Sequence, residues 1–299
     1  MNDDLGSFPW PPMPGTSETP RWCGDGFECA GTKHSVLRYA AAVSHWNDDL
    51  TKFHEDEAGE SHPIDVASRE LAMETVKRYM GGRETTLLEI GSSSGYLLRE
   101  LHSAFPEIRL IGSDYIAGPL EQVAARIPSI PLLQFDLREC PLPSNSVDGV
   151  ILLNVLEHID DDNTAVRQVS RILKPGGIVH IEVPAGPGCY DIYDEHLMHH
   201  RRYKTAALER LLNQNRLEVI KSTHLGVFPY PAFWFVKKRN RRLLSLTPEE
   251  KKRIVAAQIR RTTQSKLLGI CMRLETWFGR KISYPCGIRC VLIGRKLAG

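Results

Sequence analysis

The sequence predicts an α/β fold built on a mostly parallel sheet with helices on both faces. Three observations predict it. Short apolar runs such as "LLEI" and "VDGVILLN" are nearly continuous rather than alternating. Segments with helical spacing separate these runs. Glycine and proline mark the boundaries, as at Gly81-Gly82 and Lys174-Pro175-Gly176-Gly177. Strands buried on both faces lose the period-two alternation of a half-exposed sheet, and parallel neighbours need helical crossovers.

In chain order, Val66, Leu71, Val76 and Met80 sit among polar residues and predict a helix over 64–80 that ends at the glycine pair. A strand over 86–90 and a helix over 96–105 follow. Next come a strand over 109–113, a helix over 119–127, and a strand over 131–135. "VDGVILLN" reads as a buried strand, 163–173 as a helix, and "IVHIEVP" as a strand. A helix over 205–213 and a strand "LEVIKSTHLG" complete the alternation. The aromatic stretch "VFPYPAFWFV" then runs into "KKRNRR". Residues 247–278 read as helical, with Pro248-Glu249-Glu250 as an acidic first turn. "CGIRCVLIGRKL" is the last strand.

This gives an expected organisation of a flexible arm (1–20), an N-terminal lid of helices (21–82), a core (83–235), a basic helical insertion (236–282) and a final core strand (283–299). The arm is expected to be mobile because of its Pro, Gly, Ser and Thr content.

With 42% hydrophobic and 25% charged residues in 299, the composition is globular and supports a sizeable core. No run is apolar and long enough to span a bilayer. The acidic, proline-rich start lacks the basic and apolar regions of a secretory signal. Seven cysteines without framework spacing read as reduced thiols, so a cytoplasmic location is expected. Cys23, Cys29 and His34 form a weak candidate metal set, and no metal is expected. The net charge of +2 hides an asymmetry: residues 236–299 hold 17 Lys/Arg and 3 Asp/Glu. Solvated helix faces explain such a segment most simply. An anionic substrate, a membrane surface or nucleic acid are the sharper readings.

Ligands of open α/β sheets bind beyond the carboxyl ends of the strands. There the sequence places Glu89 followed by Gly91-Ser92-Ser93-Ser94-Gly95, then Asp114-Tyr115, Asp136-Leu137 and Asn154. Asp114 suits ribose hydroxyls, Tyr115 an adenine face, and Asp136 the adenine amine, while the glycines admit a close backbone approach. Glu89 decides between adenosine cofactors. A carboxylate ahead of the loop repels a pyrophosphate and suits an ammonium and a sulfonium, and the loop lacks the G-x-G-x-x-G spacing of dinucleotide sites. S-adenosylmethionine is the ligand indicated.

The segment 86–184 resembles the class I S-adenosylmethionine-dependent methyltransferases, most closely the small-molecule branch that includes quinone-biosynthesis enzymes. "LLEIGSSSGYLL", "IGSDY", "FDLRECPLPSNSVDGVILLNVLEHI" and "RILKPGGIVHIEVP" carry the resemblance. It implies a doubly wound, Rossmann-like sheet of seven strands whose last runs antiparallel. Ser93 replaces the middle glycine of the family's loop.

Methyl transfer requires the acceptor aligned with the sulfonium and, for oxygen or nitrogen acceptors, often a base. His158 in "NVLEHI" is the first candidate, which the resemblance implies lies near the methyl group. The second is "YDIYDEHLMHHRRY", residues 190–203, with His196, His199 and His200 as further candidates and Tyr193, Arg201, Arg202 and Tyr203 on the substrate side. An internal salt-bridged loop is the plainer reading of that run. Asp194, His196 and His199 offer a less favoured metal set. Trp46, in an acidic segment expected to cap the cofactor, is a further substrate candidate. The expected function is methylation of a small molecule, with oxygen modestly favoured and N, S and C acceptors open. Nucleic acid is the disfavoured partner. Peripheral membrane contact through Phe233, Trp234, Phe235 and the basic run that follows, or a non-catalytic binding protein, are the rivals.

Overall fold

The structure is a computed structural model that describes residues 3–40, 59–81 and 85–298. A single-turn 3-10 segment (Asp3–Ser7) leads to three short antiparallel strands: β1 (Arg21–Trp22), β2 (Phe27–Cys29) and β3 (Thr32–His34). The elements that follow are β4 (Leu37–Arg38), α1 (Pro63–Tyr79), β5 (Thr86–Ile90), α2 (Tyr96–Ala104), β6 (Arg109–Asp114), α3 (Ala117–Arg126), β7 (Leu132–Gln134) and β8 (Val147–Leu153). The chain continues through α4 (Asp162–Ile172), β9 (Leu173–Pro184), α5 (Ile192–His196), α6 (Thr205–Gln214) and β10 (Leu217–Leu225). It ends with α7 (Tyr230–Asn240), α8 (Pro248–Thr263), α9 (Lys266–Gly279) and β11 (Arg289–Lys296).

The main sheet has eight strands among the described residues, in the order β10-β11-β9-β8-β5-β6-β7-β4. The expected number was seven; the extra strand is β4, two residues that pair in parallel with β7 and form the sheet's edge. β11 runs antiparallel between β9 and β10. Alternation along each strand feeds two cores. Leu87, Leu110, Leu132 and Ile151 pack with α1, α2 and α3, among them Val76, Leu98 and Val123. Leu88, Ile111, Leu133 and Val150 pack with α4 and α6 on the other face. Every residue of β5 is buried, which is why its sequence shows no alternation.

Two expectations for the first 82 residues are corrected. The arm over 1–20 buries Leu5 and Trp10 in the second of these cores, and Trp10 contacts Phe8 and Phe27 with ring centroids 4.4 and 4.9 Å apart. The segment 21–38 is β-structure, so α1 is the described helix of the expected helical lid. The insertion holds two helices where one long segment was read, because Ser265 caps a new N-terminus on the N–H of Leu268.

This winding fixes the site. The chain moves from β5 outward through β6 and β7, then returns to β8 on the other side of β5. Strand order therefore reverses between β5 and β8, which opens a crevice at their carboxyl ends.

Candidate functional site

The loop after β5 lies at this crevice. The N–H groups of Gly91 and Ser92 both donate to Ser113 O at the end of β6, at 2.8 and 2.9 Å. Gly91 (φ +80°), Ser93 (+44°) and Gly95 (+75°) all adopt left-handed backbone. Close approach also requires the two glycines: a Cβ on Gly91 would sit 2.5 Å from Val155 Cγ2, and one on Gly95 2.8 Å from Val123 Cγ2. Ser93 accepts a conformation that disfavours a side chain by about 1–2 kcal/mol. Its N–H donates to Asp114 Oδ2 (2.9 Å), and Ile116 N–H donates to Oδ1 (3.0 Å), so Asp114 ties the loop to the end of β6.

Glu89 is buried, and its Oε2 has no hydrogen-bond partner among the described residues. Burial pushes its pKa up to about 8, opposed by a bond with Ser92 and reinforced by the charges of Asp114 and Glu100. An uncompensated buried carboxyl costs stability unless a ligand supplies the counter-charge. Its chemistry and position therefore fit the cationic end of S-adenosylmethionine. At the next strand ends, the Asp136 carboxylate is gripped by the Arg138 guanidinium, with the shortest bond at 2.7 Å. Leu137 is buried and Tyr115 is partly buried. Asn154, at φ +55°, closes the end of β8.

The turn after β8 carries Glu157 and His158. The His158 and His199 rings meet edge to face at 4.7 Å. Asp194 Oδ1 pairs with His199 Nδ1 (2.9 Å) and with Arg202 Nη1 (2.8 Å). Burial keeps His199 below its ordinary pKa against the pull of Asp194. Glu157 is wholly buried, neither of its carboxylate oxygens has a hydrogen-bond partner among the described residues, and burial raises its pKa to about 8. Ligand atoms of Glu157, His158 and His199 all lie within 4.8 Å of one another, so these three are the described residues able to hold a metal ion. They replace the expected Asp194–His196–His199 set, because His196 stands apart, half-buried near Lys252. Cys23, Cys29 and His34 form no such group among the described residues.

The expected substrate residues are largely engaged with protein. The buried Arg202 donates to Asp194, Ala185 O and Ile288 O. Arg201 pairs with Asp162 at 2.8 Å, and Tyr203 Oη donates to Asp162 at 2.9 Å. Tyr193 is partly buried under Lys237, whose Nζ lies 4.8 Å from its ring centroid. His200 is exposed. Trp46 lies outside the described residues. Sequence reasoning missed Glu157, although it directly precedes His158. It also missed Lys237 and Asn240, hidden in an apparently solvated basic run. Lys237 Nζ donates to Asp191 (2.6 Å) and Asp194 (3.1 Å), and Asn240 donates to Asp191 (3.0 Å).

Residues 88–181 match the model of a family described as a methyltransferase domain. This segment is similar to methyltransferase domains over about a third of the chain. A probable S-adenosylmethionine-dependent methyltransferase of Mycolicibacterium smegmatis is 32% identical over 164 residues, which cover 53% of this chain and 60% of that protein. The match thus spans about three-fifths of the relative's length. A ubiquinone/menaquinone biosynthesis C-methyltransferase of Syntrophotalea carbinolica is 25% identical over 143 residues, 44% of this chain and 57% of the relative. Among solved structures, a Haemonchus contortus phosphoethanolamine N-methyltransferase bound to phosphomonomethylethanolamine and S-adenosylhomocysteine superposes with a TM-score of 0.56. It is 18% identical, over 86% of this chain and 61% of that one, and shows the methyltransferase fold alone. S-adenosylmethionine is the cofactor that the name of the Mycolicibacterium smegmatis relative gives.

Proposed function

We propose that the protein transfers the methyl group of S-adenosylmethionine to a small-molecule acceptor, with oxygen as the favoured acceptor atom. The observation that carries this reading is the buried Glu89 carboxyl, whose Oε2 has no partner among the described residues, beneath a loop of small residues at the crevice between β5 and β8. Bound there, the cofactor supplies an electrophilic methyl. The rest is positioning by the chain. Glu89 balances the ligand's positive charge, Asp114 accepts from ribose hydroxyls, and the Gly91–Gly95 loop admits close approach.

His158 accepts the proton of an acceptor hydroxyl, and the edge-to-face contact with His199 holds its ring. Asp194 holds His199 in turn, with Arg202 and Lys237 fixing the carboxylate. Alignment of this kind supplies about 7–11 kcal/mol of a bimolecular barrier. The named relatives act on diverse acceptors, and the paired histidines support an acceptor that must lose a proton, oxygen or nitrogen, over one that need not.

The test is release of S-adenosylhomocysteine with a panel of phenols, carboxylic acids and amines. His158→Gln should lower kcat about 10²–10⁴-fold with little change in cofactor affinity. No turnover with any class, alongside tight cofactor binding, would favour a binding protein. Turnover unaffected by His158→Gln would remove the base from the mechanism.

A further inference from the structure

Helix α9 is built inside out for a helix bathed in water. Its inner face carries Met272 and the carboxylate of Glu275, which accepts from the N–H groups of Gly226 (2.6 Å) and Phe228 (3.1 Å). Its outer face carries Leu267, Ile270, Leu274 and Trp277 at helical spacing, and Phe278 beside them. Leu267 is 72% exposed and Trp277 60%. Helix α7 repeats the pattern with Trp234 and Phe235, the latter 68% exposed. The two helices share one small core, in which Phe233, Leu268 and Met272 pack with Ile288. Soluble proteins rarely leave so much aromatic and aliphatic surface in water without a partner for it.

Along α7 and α9 themselves the exposed charges have one sign, while Glu70 and Glu74 of α1 lie beside the inward-facing side of α9 near Thr276 and Arg280. No acidic residue occurs in 230–243, and Glu275, which faces inward, is the sole one in 264–283. Lys238, Arg239, Arg242, Lys266, Arg273 and Lys281 are all exposed on or directly beside these two helices, and Lys238 Nζ lies 5.0 Å from the Trp234 ring centroid. Exposed tryptophan, phenylalanine and leucine bordered by lysine and arginine match the boundary between lipid headgroups and acyl chains. No described helix is long and apolar enough to cross a membrane, so such helices would lie in the interface.

We propose that the outer faces of α7 and α9 form a docking surface for an anionic lipid bilayer, with the aromatic side chains entering the headgroup boundary and the cations pairing with lipid phosphates. This surface stands apart from the methyl-transfer reading, since none of these side chains belongs to the cofactor site.

The test is co-sedimentation of the full chain with vesicles of phosphatidylcholine alone and of equimolar phosphatidylcholine and phosphatidylglycerol. Binding to the anionic vesicles should be at least about tenfold stronger, and should weaken as salt rises from roughly 0.1 to 0.5 M. The double variants Trp277→Ser/Phe278→Ser and Trp234→Ser/Phe235→Ser change exposed side chains. Each should therefore keep the wild-type melting temperature and S-adenosylhomocysteine affinity while binding vesicles about tenfold more weakly. Either pair suffices if the other misfolds. The proposal is overturned if wild-type protein ignores anionic vesicles, or if a folded variant binds them as tightly. It is equally overturned if sedimentation velocity shows a dimer that these variants dissolve while vesicles remain unbound, since a second copy would then own the surface.

Discussion

A carboxyl held near pKa 8 should make cofactor binding depend on pH in a way the chain itself determines. Only the ionised form of Glu89 balances a cationic ligand, and the apparent Kd scales as the inverse of the competent fraction. With a free-protein pKa of about 8, roughly 3% of molecules are competent at pH 6.5 and roughly 75% at pH 8.5, a change of about 25-fold. The ligand's own α-ammonium titrates in the same range and strengthens binding as pH falls. The informative quantity is therefore the affinity of wild type relative to Glu89→Gln at each pH, measured by isothermal titration calorimetry. That ratio should rise about 25-fold from pH 6.5 to 8.5. Wild type at pH 7 should also release close to one more proton per ligand than the variant. A ratio constant to within about twofold would refute the assignment of Glu89 as the counter-charge.

Other expectations concern single contacts. Gly91→Ala should destabilise the fold by about 1–3 kcal/mol and abolish cofactor binding; Val155→Ala should restore part of both, read by thermal melts and calorimetry. Lys237→Met leaves Asp191 and Asp194 short of a buried cation and should cost about 3–5 kcal/mol in urea unfolding, although the residue lies outside the cofactor crevice. Glu157, raised to about 8, keeps its proton in the folded chain at pH values where the unfolded chain has lost it. Between the ordinary glutamate pKa and about 8, folding stability should therefore fall with rising pH by on the order of 1.4 kcal/mol per unit from this group, and Glu157→Gln should flatten that slope. Chelators should leave turnover unchanged. Loss of activity with EDTA and its recovery with a divalent cation would instead make Glu157, His158 and His199 a working ligand set.

What the sequence made legible follows from what burial does to periodicity. β5 and β8 are nearly continuous apolar runs because both faces are covered, and the parallel pairing of β5 with β6 puts Glu89 and Asp114 on the same edge. The first 40 residues were opaque because their order comes from tertiary contacts. Trp10 and Trp22 pack against Phe27, and nothing in a proline-rich local pattern announces that. β4 is two residues long and carries no period. Lys237 was hidden by its neighbours: in a run of five cations, a turn of helix buries this one and leaves the others in solvent. The acceptor-side run over 190–203 was recognised as dense in polar groups. A substrate-side role was preferred for it, with internal pairing as the alternative, and the contribution from α7 was not read at all.

The place of β11 in the sheet has a consequence for how the molecule is made. β11 lies between β9 and β10, yet residues 289–296 are synthesised after both. Until they emerge, β9 and β10 each present a bare line of backbone donors and acceptors to whatever strand comes near. Completion of the sheet must therefore wait for the ribosome to deliver its last strand, while β5 to β8, with the cofactor loop between them, can assemble earlier. A ribosome stalled just short of β11 would hold a chain with a nearly finished ligand crevice beside two unsealed edges, the kind of intermediate that chaperones are built to shield.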